Sequence, residues 1–264
     1  MPVVTVAQWL IEWFPQGKTS TTSPLNLPGK LAWSTMETPG FVVLLYTMAT
    51  LPAQLGISSL PSENWLLAAL FTIHYLNRAW YTPLFLAPSM SPIHPFIWLA
   101  AVAFQLANGL SIGGYLAGHG PVRSAEDWTV SMPRVYVGVL LWAVGLAGNI
   151  WHEDELREIR RAAKRRMAEG DANGTGRKNG VDKYYDIPSN GLFRWVLYAH
   201  YTCEWLEWAG FWLAAGWDCG PARTFLINEI STMVPRAVQG KQWYIKKFGV
   251  DRVGSRKAVI PGLL

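Results

Sequence analysis

Charge is scarce in this chain. Only 16% of its 264 residues are charged and 50% are hydrophobic, whereas soluble domains carry about 25% charged residues. Cysteine is scarcer still, with Cys203 and Cys219 alone. Two cysteines so spaced build neither a disulfide scaffold nor a Cys-x-x-Cys metal site, and both read as free thiols among apolar helices. The nucleotide and metal signatures are missing as well: no Gly-x-Gly-x-x-Gly, no Walker A loop, no His-Glu-x-x-His. Gly109-x-x-x-Gly113-Gly114 lies inside an apolar run and reads as helix packing. No series of short alternating strands appears, which argues against a membrane barrel. No internal repeat is visible.

Apolar length and tryptophan are abundant. Fifteen tryptophans suit a protein whose surface meets a bilayer interface, where a half-apolar ring is favoured. Apolar stretches run over 40–55, 65–86, 96–116, 135–150, 192–215 and 225–234 with its flanks, the last interrupted by Asn228, Glu229 and Pro235 and so leaning on other helices. Most approach the roughly 20 residues that cross the hydrocarbon core, and a span must satisfy its own backbone, so helix is the expected form. The expectation is an all-α, multi-pass transmembrane bundle of six clear spans in one domain over 1–264, with a short N-terminal helix. Residues 1–14 show no basic leader pattern and read as an interfacial or partial helix, or as the remnant of a longer span. A flexible cytosolic loop is expected near 166–183.

The net charge of +5 would suggest nucleic acid in a soluble protein. Here the cations gather between and after spans, so they read as topology instead. Residues 157–178 and the tail from Lys241 to Lys257 are both basic and two spans apart, which places both, with Lys18 and Lys30, in the cytosol. Residues 118–133 then face the lumen.

Ionisable groups inside such spans are expensive and usually functional. Glu37 stands at the mouth of the first span, where Ser34 to Glu37 also fits a capping box. His74, Tyr75, Asn77 and Arg78 crowd the second span, and Gln105 and Asn108 mark the third. Asn149, Glu153, Arg157 and Arg160 recur at helical spacing. That face is either a solvated row of i,i+4 pairs or a grip on phosphates. Glu204 and Glu207 share a face of the fifth span beside His200 and Tyr201, and could pair with Arg236 or a neighbouring histidine. Arg236, Lys241, Trp243, Tyr244 and Lys247 mix cations with aromatics, which suits interfacial anchoring or a lid over a cofactor.

Taken in order, the segments resemble the steroid 5α-reductase family. They are Trp33…Glu37-x-Pro39, His74-Tyr75-x-x-Arg78, Asn108-Gly109, Asn149-x-x-x-Glu153-x-x-Leu156-x-x-x-Arg160 and Ile187-Pro188-x-x-Gly191-Leu192-Phe193. Tyr201-x-x-Glu204-x-x-Glu207-Trp208, Trp243-Tyr244-x-x-Lys247-Phe248 and Arg256-Lys257-Ala258-x-Ile260-Pro261 continue the series. The resemblance implies a seven-helix membrane fold in the endoplasmic reticulum, with a cytosolic C-terminus. It implies reduction by NADPH of a carbon–carbon double bond conjugated to a ketone in a steroid-like lipid.

By the same resemblance Glu37 and Tyr75 are the catalytic pair at the ketone. Asn149, Glu153, Arg160, His200, Glu204, Arg236 and Tyr244 surround the cofactor, and Trp33 and Phe104 line the substrate cavity. The chain departs from the family at Met36, where animal members carry Gln, at Glu153, where Asp is usual, and at Gln239-Gly240-Lys241, which replaces a histidine cluster. Other readings are reduction of a different lipid enone or enoyl substrate, and a sterol-binding membrane protein without catalysis. The lipid bilayer is the partner expected, with no nucleic acid, no metal and no obligate protein partner.

Overall fold

The computed structural model describes residues 6, 8–10, 23–121, 128, 131–172 and 185–264. The described residues are helical, with isolated bridges in place of strands. In chain order the helices are α1 (Gly29–Gln54), α2 (Ser62–Tyr75), α3 (Pro95–Gly114), α4 (Met132–Ala172), α5 (Ala199–Ala215), α6 (Gly220–Phe248) and α7 (Val250–Val253). α2 runs on as a wider π-helical segment, Leu76–Leu86, and α3 ends in a π turn, Tyr115–His119. Residues 1–14 and 166–183, assigned from sequence to a short helix and a flexible loop, lie largely outside the described residues. Within them, α4 continues through Ala172.

Local chemistry explains several boundaries. α3 starts with Pro95 at its first turn, where a missing N–H costs nothing, and the His94 ring caps Phe96 N at 3.3 Å. α5 stops at Gly216, whose φ of 111° suits glycine alone. The α2 ladder widens beyond Tyr75 on the way to Pro83, which has no N–H to return to the preceding turn. Such widened turns recur at functional sites, and this one carries Asn77 and Arg78.

Three expected boundaries are corrected. α1 begins at Gly29, so Trp33 to Pro39 lies within the helix and the Ser34–Glu37 capping box does not form. The Thr35 and Thr38 hydroxyls instead bond back to Leu31 O at 2.8 Å and Ser34 O at 2.6 Å. The stretch 192–215 is not one helix. Gly191–Arg194 is a 3-10 turn, and the next residues pair with the C-terminal tail, Leu197 N to Lys257 O at 3.0 Å and Tyr198 N to Ala258 O at 2.9 Å. Glu229 and Pro235 do not interrupt the last stretch, which lies inside the 29-residue α6.

Among the described residues two helices are long and apolar enough to cross a membrane by length and composition, Pro95–His119 and Met132–Arg166. The other apolar stretches are broken by polar side chains that turn inward, such as Ser34, Glu37, Asn64, His74, Glu204 and Glu207.

Small residues set the helix spacing. A Cβ on Gly109 would strike the Gly40 carbonyl, which brings α1 and α3 into backbone contact. Gly138 and Gly145 do the same between α4 and α5, with Gly145 lying against the Glu207 backbone, while Gly148 makes room for the Cys203 side chain. The GxxxG reading of α3 therefore holds. Both cysteines are buried free thiols.

Candidate active site

A cavity of about 490 Å³ opens between α2, α4, α5 and α6, within the size range of small-molecule sites. Asn149, Glu153 and Arg160 of α4, His200 and Glu204 of α5, and Arg236 and Tyr244 of α6 all line it, as does Trp33 of α1. Every residue expected around the cofactor therefore meets in one place. A second, more open hollow of about 790 Å³ between α1 and α3 has no Lys, Arg, Asp or Glu in its lining.

The cations of α4 differ in what they already hold. Arg157 is buried and bonded to Glu153 at 3.1 Å, Asp154 at 3.2 Å and Ile150 O at 3.2 Å. Arg161 bonds Asp154 and Leu86 O. Arg160 lines the cavity and makes no ion pair among the described residues. The two sequence readings of this face therefore divide along the helix: an i,i+4 pair at Arg157, buried rather than solvated, and an uncommitted guanidinium at Arg160. Burial pushes the Tyr185 and Tyr244 phenols up, with the Arg160 charge pulling the other way, so both are neutral donors at physiological pH.

Glu37 and Tyr75, the pair expected at the ketone, lie deeper and do not line the cavity. Glu37 and Tyr75 are 6% and 2% exposed. Arg78 connects the two zones. It lines the cavity, its Nη1 meets Glu204 Oε1 at 2.9 Å, and its Nε lies 3.5 Å from Glu37 Oε1. Trp33 holds this guanidinium, with its ring 5.3 Å away and its Nε1 donating to Arg78 O at 3.1 Å. Gln105 donates to the other Glu37 oxygen, and Asn108 Nδ2 donates to the Tyr75 hydroxyl at 3.4 Å.

Glu207 pairs with neither Arg236 nor its neighbour His200. It meets His74 Nδ1 of α2 at 2.7 Å, with both side chains almost fully buried. Phe104 stacks on Phe225 with centroids 6.0 Å apart and does not line the cavity. Sequence reasoning noted Arg78 and Gln105 as polar groups in spans but gave them no role. Their cost at such positions was the signal; their partners lie 41 and 68 residues away along the chain, beyond any local spacing rule.

Residues 91–264 match the family described as 3-oxo-5-alpha-steroid 4-dehydrogenase. Over 95% of its length the chain is 37% identical to an uncharacterized protein of Schizosaccharomyces pombe, of which it covers 91%. It is 34% identical to 3-oxo-5-alpha-steroid 4-dehydrogenase 1 of Rattus norvegicus, over 95% of this chain and 86% of the relative. It is 28% identical to the steroid 5-alpha-reductase DET2 of Solanum lycopersicum, over 94% of this chain and 87% of the relative. The chain belongs to the 3-oxo-5-alpha-steroid 4-dehydrogenase family, and with it to the oxidoreductases.

Proposed function

We propose that the protein reduces the carbon–carbon double bond conjugated to a ketone in a steroid-like lipid, with NADPH as reductant. One observation carries the reading. A single cavity joins the uncommitted Arg160 to Arg78, and Arg78 reaches both Glu204 and Glu37. The lining fits the cofactor: guanidinium groups at Arg160 and Arg236 suit phosphates, Asn149 and Glu204 suit an amide, and Tyr185, Tyr201 and Trp243 offer ring faces. When bound, NADPH supplies the hydride for the β-carbon of the enone.

The chain's own residues hold the ketone and answer the charge that develops on its oxygen. A donor placed at that oxygen stabilises the transition state more than the ground state. The Tyr75 phenol donates there, oriented by Asn108. In this structure both Glu37 oxygens accept, one from Gln105 and one from Arg78. Donation by Glu37 therefore needs a proton on the carboxyl and a shift of Arg78 toward Glu204. The buried apolar surround keeps bulk water from the site, and a proton delivered to the α-carbon completes the reduction.

The same reading makes this a multi-pass protein of the endoplasmic reticulum membrane with a cytosolic C-terminus. Large apolar side chains on the outer faces, Tyr46, Phe85, Leu110, Tyr136 and Leu140 among them, support contact with lipid. The basic end of α4 and the basic end of α6 flank one cavity, which supports a shared cytosolic face.

The test is NADPH oxidation by detergent-purified protein against a panel of enones, with the product identified. Turnover of a 3-oxo-Δ4 steroid supports the reading. Turnover of a different lipid enone alone moves the substrate. Binding of sterol without turnover of any enone overturns it in favour of a binding protein.

A further inference from the structure

Gln105 sits in the middle of α3 at 5% exposure. A buried primary amide is costly unless both its ends are bonded. Only one end is. The NH2 donates to Glu37 Oε2, whereas the carbonyl oxygen has no hydrogen-bond partner among the described residues. That carbonyl rests against the bare Cα of Gly40, where an added Cβ would collide with it. Gly109, one turn beyond Gln105, lets the Gly40 carbonyl approach α3. Both helices are thus pared to hydrogen at the positions that bring this amide to this carboxylate.

Glu37 has few other partners. Met36 beside it is buried in an apolar cluster with Ala32 and Ile93, so the preceding residue of α1 offers no hydrogen bond. Arg78 from α2 holds Oε1 at 3.5 Å, a long contact. The other oxygen, Oε2, accepts from the Gln105 amide, and that bond sets the carboxyl plane. An apolar side chain of similar volume would fill the space with no orphaned carbonyl, so packing alone does not account for glutamine.

We infer that Gln105 is a positioning residue for the reduction. Its NH2 fixes Glu37 Oε2, which leaves Oε1 directed at Arg78 and available to the ketone. The inference rests on the assignment of Glu37 and Tyr75 above.

The experiment is steady-state kinetics of the purified full-length chain with NADPH and its enone substrate, for Glu37→Ala, Gln105→Leu, Gln105→Glu and Gly40→Ala. Gln105→Leu should lower kcat by about 10²-fold, the scale of a small misplacement at a reacting centre, with KM for NADPH within about twofold of wild type. Gly40→Ala keeps the amide but displaces it, and should lower kcat in the same direction. Gln105→Glu sets a second carboxyl against Glu37 and should move the alkaline limb of the kcat profile upward by about one pH unit or more, as coupled acids do. An inactive Glu37→Ala with a Gln105→Leu that turns over normally overturns the positioning role and leaves the proposed function standing. An active Glu37→Ala overturns the assignment beneath both. Should Gln105→Leu fail to fold, Gln105→Glu decides, and a pH profile that superimposes on wild type overturns the inference.

Discussion

The two zones joined by Arg78 are built differently. The cavity zone of α4 presents Asn149, Glu153 and Arg160 from one helix at spacings that bring them to one face, and much of its lining is only half-buried. The inner zone draws single or paired side chains from several helices. Glu37 of α1, His74 and Tyr75 of α2, Gln105 of α3 and Glu207 of α5 all lie at or below 6% exposure. The first zone has an uncommitted cation and room for a ligand. The second is already bonded to itself. A cofactor can therefore be held with little rearrangement, whereas chemistry at the ketone needs bonds around Glu37 to be exchanged. Binding and turnover should then separate by zone, and the separation can be broken by mutation.

The largest effect is expected on folding. His74 and Glu207 form a buried hydrogen-bonded pair at 2.7 Å, and leaving one buried partner unsatisfied costs about 1–3 kcal/mol, to which the space left by the lost side chain adds. Glu207→Ala should lower the thermal unfolding temperature in detergent far more than any substitution at the cavity rim. An unchanged Tm would show that the inner zone does not hold the bundle together.

Next in size is catalysis. Glu37→Ala and Tyr75→Phe should each reduce kcat by roughly 10²–10³, the scale of losing a donor to a developing oxyanion. Affinity for NADPH, measured by protein fluorescence quenching, should stay close to wild type, because neither residue lines the cavity. Loss of cofactor binding in either variant would merge the two zones.

Arg160→Ala should do the reverse. Its KM for NADPH should rise about tenfold or more, the scale of one charge-assisted hydrogen bond, with kcat little altered. NADPH should also be preferred over NADH, and that preference should shrink in the variant. Equal use of both cofactors by wild type would remove Arg160 from the 2′-phosphate.

The smallest effect concerns the end of α4 that carries the cavity face. The Arg165 guanidinium, with Arg161, holds the exposed Glu158 carboxyl below the usual glutamate range. A folded value below the unfolded one means a contribution present above the unfolded pKa of about 4.3 and lost as pH falls through the folded one. Protection of the amides in this helix end, taken relative to their intrinsic exchange rate at each pH, should fall on acidification below pH 4. Glu158→Gln should exchange slightly faster than wild type at pH 7 and equally fast in acid. Identical exchange at pH 7 would mean that solvent screens the pair completely.

Legibility followed the same division. The residues that the resemblance sets around the cofactor all line one cavity, and Trp33 lines it too. Phe104 stacks on Phe225 instead, a contact that depends on how α3 meets α6. The partners of Glu204 and Glu207 were misjudged for one reason: both candidates weighed from sequence were other groups, whereas the true ones lie on α2. Helix limits failed where threonine back-bonding carried α1 through Pro39 and where α6 absorbed Pro235.

By itself the sequence determined the all-helical class, because scarce charge and long apolar runs leave the backbone no other way to satisfy itself. It also determined the family, through motifs whose order survives translation into any fold. Only the tertiary structure decided that Arg78 bridges Glu37 and Glu204, that His74 closes on Glu207, and that Gln105 reaches a carboxylate 68 residues before it. These are contacts between helices. Glycines that let α1 and α3 touch set the Gln105 contact, and pairing across a helix interface leaves no periodic trace along either segment of sequence.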